Sequence, residues 1–276
     1  MLRKYTYFLL VTPTLIYLIM FWFVPLLNVL TISFTERDTY IIGNPVYVGF
    51  KNYFRIASDY VSTIRNTILF PLAAAFIDLL VGFPLAYLLV RRKVLFTNLI
   101  RASLIFPYFG DIYVSYGLWN MFLPGGLFDY FYEITGISYR EILYRPQAVI
   151  MGFSIFTLPF MVLYASSSLV EIDETIEHAA LTLGATPVKT FFKVVLPLAA
   201  PGVIAGFIAC FGWNLGGYLI PLLLGGVESS NVMTVRIVEL SLRIHEYGVA
   251  SALAIVLIAI TIFSTYLTFK ITKALE

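Results

Sequence analysis

Charged residues, histidine and cysteine are all scarce in this chain of 276 residues. Asp, Glu, Lys and Arg make up 12% of it, against about 25% in soluble globular domains. The single cysteine, Cys210, excludes an intramolecular disulfide. The net charge of +2 is too small to indicate an acidic substrate or a nucleic acid, so we expect no nucleic-acid partner.

Sequence motifs of catalysis and cofactor binding are also missing. There is no G-x-x-x-x-G-K-[ST] phosphate-binding loop and no Gly-Lys pair, which excludes an ATPase of the P-loop kind. H-E-x-x-H, C-x-x-C and G-x-S-x-G do not occur, and the two histidines, His178 and His245, are predicted on opposite faces of a membrane. We therefore expect no catalytic residue, no metal site and no cofactor bound by this chain.

Apolar residues, in contrast, make up 60% of the chain, which is typical of an integral membrane protein. Crossing about 30 Å of hydrocarbon takes roughly 20 helical residues. Six stretches meet this length, and we predict an all-α protein with six transmembrane helices. The predicted spans are residues 7–32, 63–90, 96–122, 146–169, 201–224 and 247–269. The first resembles a signal peptide but is longer and lacks an A-x-A-like site, so we expect a retained anchor.

Basic residues near the ends of the spans predict the orientation, because they resist translocation. The dense cluster Arg91, Arg92 and Lys93 favours a topology with both termini in the cytoplasm. This topology places residues 171–200 in the cytoplasm. It leaves residues 35–61 and 123–145 as the longer external loops, where we expect a solute-binding protein to dock.

The predicted cytoplasmic loop reads as helix, tight turn, helix. Asp173 is a suitable N-cap, and Gly184 is placed to end the first helix. Thr186 and Pro187 are typical of a second helix start. Pro197 and Pro201 are expected to end that helix before the fifth span, because proline lacks a backbone N–H. Such a hairpin could lie on lipid headgroups or dock on a soluble protein.

The segment "HAALTLGATPVKTFFKVVLPLAAPG" resembles the EAA loop of permease subunits in binding-protein-dependent ABC importers, the MetI-like superfamily. The residues at matching offsets are Ala179, Ala180, Gly184, Val194, Leu196 and Pro197. His178 stands where the family usually has its glutamate, and Glu177 lies one residue earlier. Other stretches, including "GFPLAYLLVRR" and "GYLIPLLLGG", are most similar to the spermidine/putrescine type.

This resemblance implies one transmembrane domain over residues 1–276, with a cytoplasmic coupling helix between spans 4 and 5. The implied partners are two ATP-binding subunits that hold ATP and Mg, a second permease subunit, identical or homologous, and an extracytoplasmic solute-binding protein. The implied location is the inner membrane of a prokaryotic cell. By match and proximity, the residues expected to couple this chain to the ATPase are Glu177, His178, Ala179, Ala180, Gly184, Ala185, Pro187, Phe191 and Pro197.

Polar and aromatic residues within the predicted spans are candidates for a translocation path. Asp78 could neutralise a cationic solute, or it could be protonated or hydrogen-bonded within the bundle. Aromatic rings suit ammonium groups and sugar faces, and they also form belts at the membrane interface. The remaining candidates are Tyr108, Asp111, Tyr113, Trp119 and Asn120 in the third span, and Trp213, Asn214 and Tyr218 in the fifth.

Three functions stay open at this point. The first is an importer permease for a polyamine or a related small cation. The second is a permease of the same design for a sugar or another uncharged or anionic solute. The third is an ATP-independent channel or secondary carrier.

Overall fold

The computed structural model describes residues 11–36, 45–92, 97–136, 142–226 and 231–275. The described residues are mainly helical, and Thr35 and Tyr47 form an isolated antiparallel bridge. Lys93, one of the basic residues that predict the orientation, lies outside the described residues.

Helices follow one another along the chain. The helices, in chain order, are α1 Val11–Ile32, α2 Lys51–Asp59, α3 Val61–Arg91, α4 Thr97–Ser103, α5 Asp111–Phe122, α6 Leu127–Thr135, α7 Pro146–Glu171, α8 Glu174–Thr182, α9 Pro187–Leu215, α10 Met233–Leu242 and α11 Tyr247–Leu275. Short π-helical segments interrupt α1 at Ile19–Phe23 and α9 at Phe191–Val195. Both predicted external loops contain a helix, α2 in the first and α6 in the second.

Within the described ranges, five helices are long and apolar enough to cross a membrane. They are α1, α3, α7, α9 and the Tyr247–Leu267 part of α11. The predicted third span, in contrast, is not one continuous helix. A 3-10 turn at Phe106–Phe109 and Gly110, whose φ is +119°, separate α4 from α5. The count of six spans stays a prediction.

Helix α9 differs from the sequence-based expectation in where it begins. Pro197 and Pro201 were expected to separate the second hairpin helix from the fifth span, but one helix runs through both prolines. A wider π turn, closed by the Leu196 N–H donating to the Phe191 carbonyl, directly precedes Pro197. Membrane helices tolerate proline where such local adjustments satisfy the backbone. The expectation that these prolines end the helix is therefore wrong.

The described residues divide into two compact units. The first lies within Met1–Thr63 and Arg236–Ile260. In this unit the Asn52 amide donates to the carbonyls of Ser33 at 2.8 Å and Thr35 at 2.9 Å. Arg55 on α2 pairs with Glu246, just before α11, at 2.8 Å.

The second unit lies within Ile64–Val235 and Thr261–Glu276. Its interior is built on close packing of α9 against α7. At Gly206 an added Cβ would lie 2.8 Å from the Met161 sulfur, and at Gly202 it would lie 2.8 Å from the Tyr164 carbonyl. Glycines let the backbones of two membrane helices approach closely, which strengthens their packing. The single domain over residues 1–276 stays a prediction.

Candidate functional site

The helical hairpin formed by α8 and the start of α9 has the caps that the sequence predicts. The Asp173 side chain accepts from the Thr175 N–H at 2.9 Å, and the same hydrogen bond lowers the pKa of Asp173 below its ordinary value. The Thr186 hydroxyl accepts from the Lys189 N–H at 3.3 Å, with Pro187 at the first helical position. The predicted helix, turn, helix is confirmed.

The turn between the two helices depends on Gly184. Its φ is +86°, a left-handed backbone conformation that residues other than glycine rarely adopt. The Gly184 N–H donates to the Leu181 carbonyl at 3.0 Å, and the Ala185 N–H donates to the Ala180 carbonyl at 3.1 Å. These two bonds form a Schellman motif, which satisfies the last carbonyls of α8. Gly184 ends α8 as predicted.

The hairpin leaves several large apolar side chains uncovered. The exposed fraction is 89% for Leu183, 67% for Val188 and 58% for Phe192. His178 and Ala179 are also exposed, and Ala180 is half-buried. Several large apolar side chains exposed on one hairpin are typical of a binding surface for a protein or a membrane.

Glu177 of α8 faces away from the exposed apolar side chains and is buried against the C-terminal end of α3. One carboxylate oxygen accepts from the Arg91 guanidinium at 2.8 Å, and the other accepts from the Tyr87 hydroxyl at 2.8 Å. Arg91 also donates to the Ile172 carbonyl at 2.6 Å and to Glu174 at 3.4 Å. Neither Tyr87 nor Arg91 was among the candidate site residues. The signal for them is their spacing of four residues, which places both on one face of α3.

Asp78 and Asn214 are brought together, but in the buried interior of the second unit. Asp78 has no exposed surface and accepts from Ser154 at 2.5 Å and from Thr157 at 2.6 Å. Asn214 donates to the Thr157 hydroxyl at 3.0 Å. Cys210 donates to the Thr157 carbonyl at 3.3 Å. This network joins α3, α7 and α9 through polar side chains.

An open groove of about 1270 Å³ lies in the same unit. The rings of Phe160 and Trp213 stack in its wall, with centroids 5.4 Å apart and planes 19° apart. Thr261, Ser264 and Thr265 of α11 also line it. Within the described residues, Asp111 is the one charged side chain among those that line this groove. Asp78 and Asn214 do not line it.

The other path candidates lie elsewhere on α5 or after α9. Tyr113 is exposed, and Trp119 donates to the Tyr144 hydroxyl at 3.1 Å. Asn120 donates to the Tyr116 carbonyl one helical turn earlier, at 2.9 Å. Tyr218 is half-buried against the apolar core of the second unit. The side chain of Tyr108 lies outside the described part of the structure.

Comparison with known proteins identifies the family. Residues 1–275 match the family described as binding-protein-dependent transport system inner membrane component. The spermidine/putrescine transport system permease protein PotB of Haemophilus influenzae is 30% identical over 264 residues, covering 92% of this chain and 91% of the relative. The trehalose/maltose transport system permease protein MalF of Thermococcus litoralis is 24% identical, covering 96% of this chain and 93% of the relative.

Among solved structures, a similar chain comes from a bacterial alginate ABC transporter in complex with an alginate pentasaccharide-bound periplasmic protein. The TM-score is 0.75 at 20% identity, over 98% of this chain and 96% of that one. This likeness shows that the fold is shared. The family match spans nearly the whole sequence, and the chain therefore belongs to the inner membrane components of binding-protein-dependent transport systems.

Proposed function

We propose that this chain is the permease subunit of an ATP-driven importer and forms the path for a small solute across the inner membrane. The family match over residues 1–275 is the observation that carries this proposal. The long apolar helices α1, α3, α7, α9 and α11 supply the spans. The chain itself is not an enzyme in this proposal, because its sequence has no phosphate-binding loop, and a partner subunit binds and hydrolyses ATP with Mg.

The hairpin of α8 and α9 is the docking element for that ATP-binding subunit. Support comes from Leu183, Val188 and Phe192, which are large, apolar and mostly exposed at a position where the family carries its EAA loop. Both helices of the pair are capped, and Gly184 forms the turn between them. The basic cluster at Arg91 supports a cytoplasmic position for this hairpin and for both termini.

The complete transporter contains further partners. A second permease subunit covers the open groove that Asp111, Phe160 and Trp213 line, and two ATP-binding subunits serve the two permeases. A solute-binding protein docks outside, as the family description implies. In this arrangement Asp111 and Trp213 line the path of the solute, whereas Asp78 and Asn214 hold the helices together.

The solute is a small cationic compound of the polyamine class. PotB of Haemophilus influenzae, named for spermidine and putrescine, is 30% identical to this chain. A carboxylate and two stacked rings in one groove also suit an ammonium group, because rings attract cations over their faces.

A sugar is the second candidate, supported by the relative named for trehalose and maltose. Stacked rings also bind sugar faces. Asp111→Asn separates the two solutes. Uptake of a cation should fall about tenfold or more when the one charge among the described residues that line the groove is removed, since each 1.4 kcal/mol of lost binding is a factor of ten. Sugar uptake should change by less than about threefold, because the asparagine side chain still offers hydrogen bonds.

The proposed function is tested by purifying the tagged chain from its native membrane in mild detergent and identifying what comes with it by mass spectrometry. We expect an ATP-binding subunit of the P-loop type and a permease subunit. Leu183→Lys should release the ATP-binding subunit, and Ile134→Lys, at an exposed position on α6 outside both the hairpin and the long apolar helices, serves as the control. Repeated recovery of the wild-type chain alone would instead favour a channel or secondary carrier.

A further inference from the structure

One face of α3 meets the hairpin over three successive helical turns. Phe83, Tyr87 and Arg91 are spaced by four residues, so they lie along one stripe of the helix. The Phe191 ring lies against the first two, with centroid distances of 5.0 Å to Phe83 and 5.1 Å to Tyr87. Tyr87 and Arg91 both bind the carboxylate of Glu177. We call this set of contacts the α3 seam.

The polar part of the seam is largely shielded from water. The exposed fraction of the side chain is 8% for Arg91 and 10% for Glu177, whereas it is 59% for Glu174. Arg91 uses three of its nitrogens, on Glu177, Glu174 and the Ile172 carbonyl. A buried pair with several hydrogen bonds has one preferred geometry, and removing one partner leaves a charge without compensation. The exposed contact to Glu174 contributes little.

The seam also connects α3 to the hairpin through side chains, because no direct backbone link joins these two elements. The hairpin follows α7 and continues into α9, so those two helices are joined to it covalently. Helix α3 is distant in sequence and meets the hairpin only through side chains. Glu177 precedes His178, the residue at the family's glutamate position, by one residue. One residue rotates a side chain by about 100° around the helix, and Glu177 lies on the inner face while His178 is exposed.

We propose that the Arg91–Glu177 pair, together with Tyr87, is the contact that makes α3 move with the hairpin when the ATP-binding subunit moves. Arg91, Glu177 and Tyr87 are positioning residues in this role. The proposal rests on the proposed function, because it requires an ATP-binding subunit docked on the hairpin. A displacement of α8 is then passed to three membrane helices, α3, α7 and α9, instead of two.

The test uses the transporter purified with its native partners and reconstituted in proteoliposomes. The readout is the number of solute molecules imported per ATP hydrolysed, normalised to the amount of assembled complex. Glu177→Gln should lower this ratio about tenfold or more while the ATP-binding subunit still co-purifies. Glu174→Gln, on the exposed partner of the same arginine, is the matched control and should stay within about twofold of the wild type.

Two further variants keep the test decisive if Glu177→Gln folds poorly. Tyr87→Phe removes one hydrogen bond from the Glu177 carboxylate and keeps the ring beside Phe191. It should lower the ratio by about two- to tenfold. The charge-swapped double variant Arg91→Glu with Glu177→Arg should recover part of the ratio that either single variant loses. If these residues served folding alone, the variants would reduce solute uptake and ATP hydrolysis in parallel and would leave the ratio of the two unchanged.

The outcomes separate this inference from the proposed function. If the wild type shows no ATP-dependent uptake, the proposed function fails and the seam proposal fails with it. If the wild type couples uptake to hydrolysis and Glu177→Gln and Tyr87→Phe couple equally well, only the seam proposal is overturned.

Discussion

Replacing Asp78 distinguishes a residue that holds the bundle together from one that meets the solute. The carboxylate has no exposed surface and accepts two short hydrogen bonds, from Ser154 and Thr157 on α7. Asp78→Ala removes both acceptors and leaves a small void. Asp78→Asn preserves the shape and keeps one acceptor oxygen, while its amide can donate to the Thr157 hydroxyl.

The expected cost follows from these bonds. Hydrogen bonds between membrane helices contribute about 0.6 to 2 kcal/mol each, so losing both costs about 1 to 4 kcal/mol. Thr157 is partly compensated, because its hydroxyl also lies 2.8 Å from the Phe153 carbonyl. Ser154 loses its Asp78 acceptor. For a chain of this size, we expect the apparent melting temperature of Asp78→Ala to fall by about 2 to 7 °C, and that of Asp78→Asn by less than half as much.

The assay combines thermal stability in detergent with solute uptake per assembled complex. Uptake by Asp78→Asn should stay within about threefold of the wild type, because an asparagine can still satisfy the network. Ser154→Ala, which removes one donor to the same carboxylate, provides a second measure of the network. If Asp78→Asn keeps its melting temperature but abolishes uptake, the carboxylate takes part in transport and the structural role proposed here is wrong.

Three further predictions concern helix packing and the hairpin. Gly206→Val should destabilise the chain by about 1 to 3 kcal/mol, because the new side chain meets Met161; an unchanged melting temperature would contradict the tight contact between α7 and α9. Gly184→Val places a β-branched residue at a φ of +86°, which costs about 1 to 2 kcal/mol. Membrane insertion of this variant should persist and its solute-stimulated ATP hydrolysis should be lost, whereas unchanged stimulation would refute the role of the turn. The folded pKa of Asp173 lies below its ordinary value of 3.8, so its cap stabilises α8 above that pH and is lost as the pH falls through the lowered pKa. The protection of the Thr175 amide against hydrogen exchange should therefore fall in this pH range more than it does in Asp173→Asn, and equal protection profiles would contradict this.

The caps and the turn of the hairpin were predicted from the sequence, whereas the predicted end of its second helix was wrong. Its caps are local chemistry: a side chain bonds a backbone group two or three residues away, as at Asp173 and Thr186. The glycine turn is equally local, because only the backbone freedom of Gly184 is required. Such features need no information about tertiary packing.

The seam could not be predicted in the same way, because it depends on which helices become neighbours. Arg91 was interpreted as one of a cluster of basic residues that set the orientation, and nothing near it in sequence indicates Glu177, which lies 86 positions away. The break at Gly110 was missed for a related reason. Hydropathy over a window of about 20 residues detects apolar character and does not detect one residue with a positive φ.

The path candidates show a similar division. Composition alone left Asp78 either in a solute path or in a hydrogen-bond network, and the burial of its carboxylate favours the network. Asp111 was one polar residue among many aromatic ones, yet it lines the same groove as Trp213. Helical periodicity did not separate these two aspartates, because the faces of α3 and α5 that pack inward are set by the neighbouring helices.

The most direct test of the central claim is solute uptake by the purified transporter with and without ATP inside proteoliposomes. The wild-type chain, assembled with its native partners, should import solute only when ATP and Mg are enclosed and the solute-binding protein is present outside. A variant of the ATP-binding subunit that binds but does not hydrolyse ATP should stop sustained import. Uptake that continues at the same rate without ATP would contradict the account and identify the chain as a channel or secondary carrier.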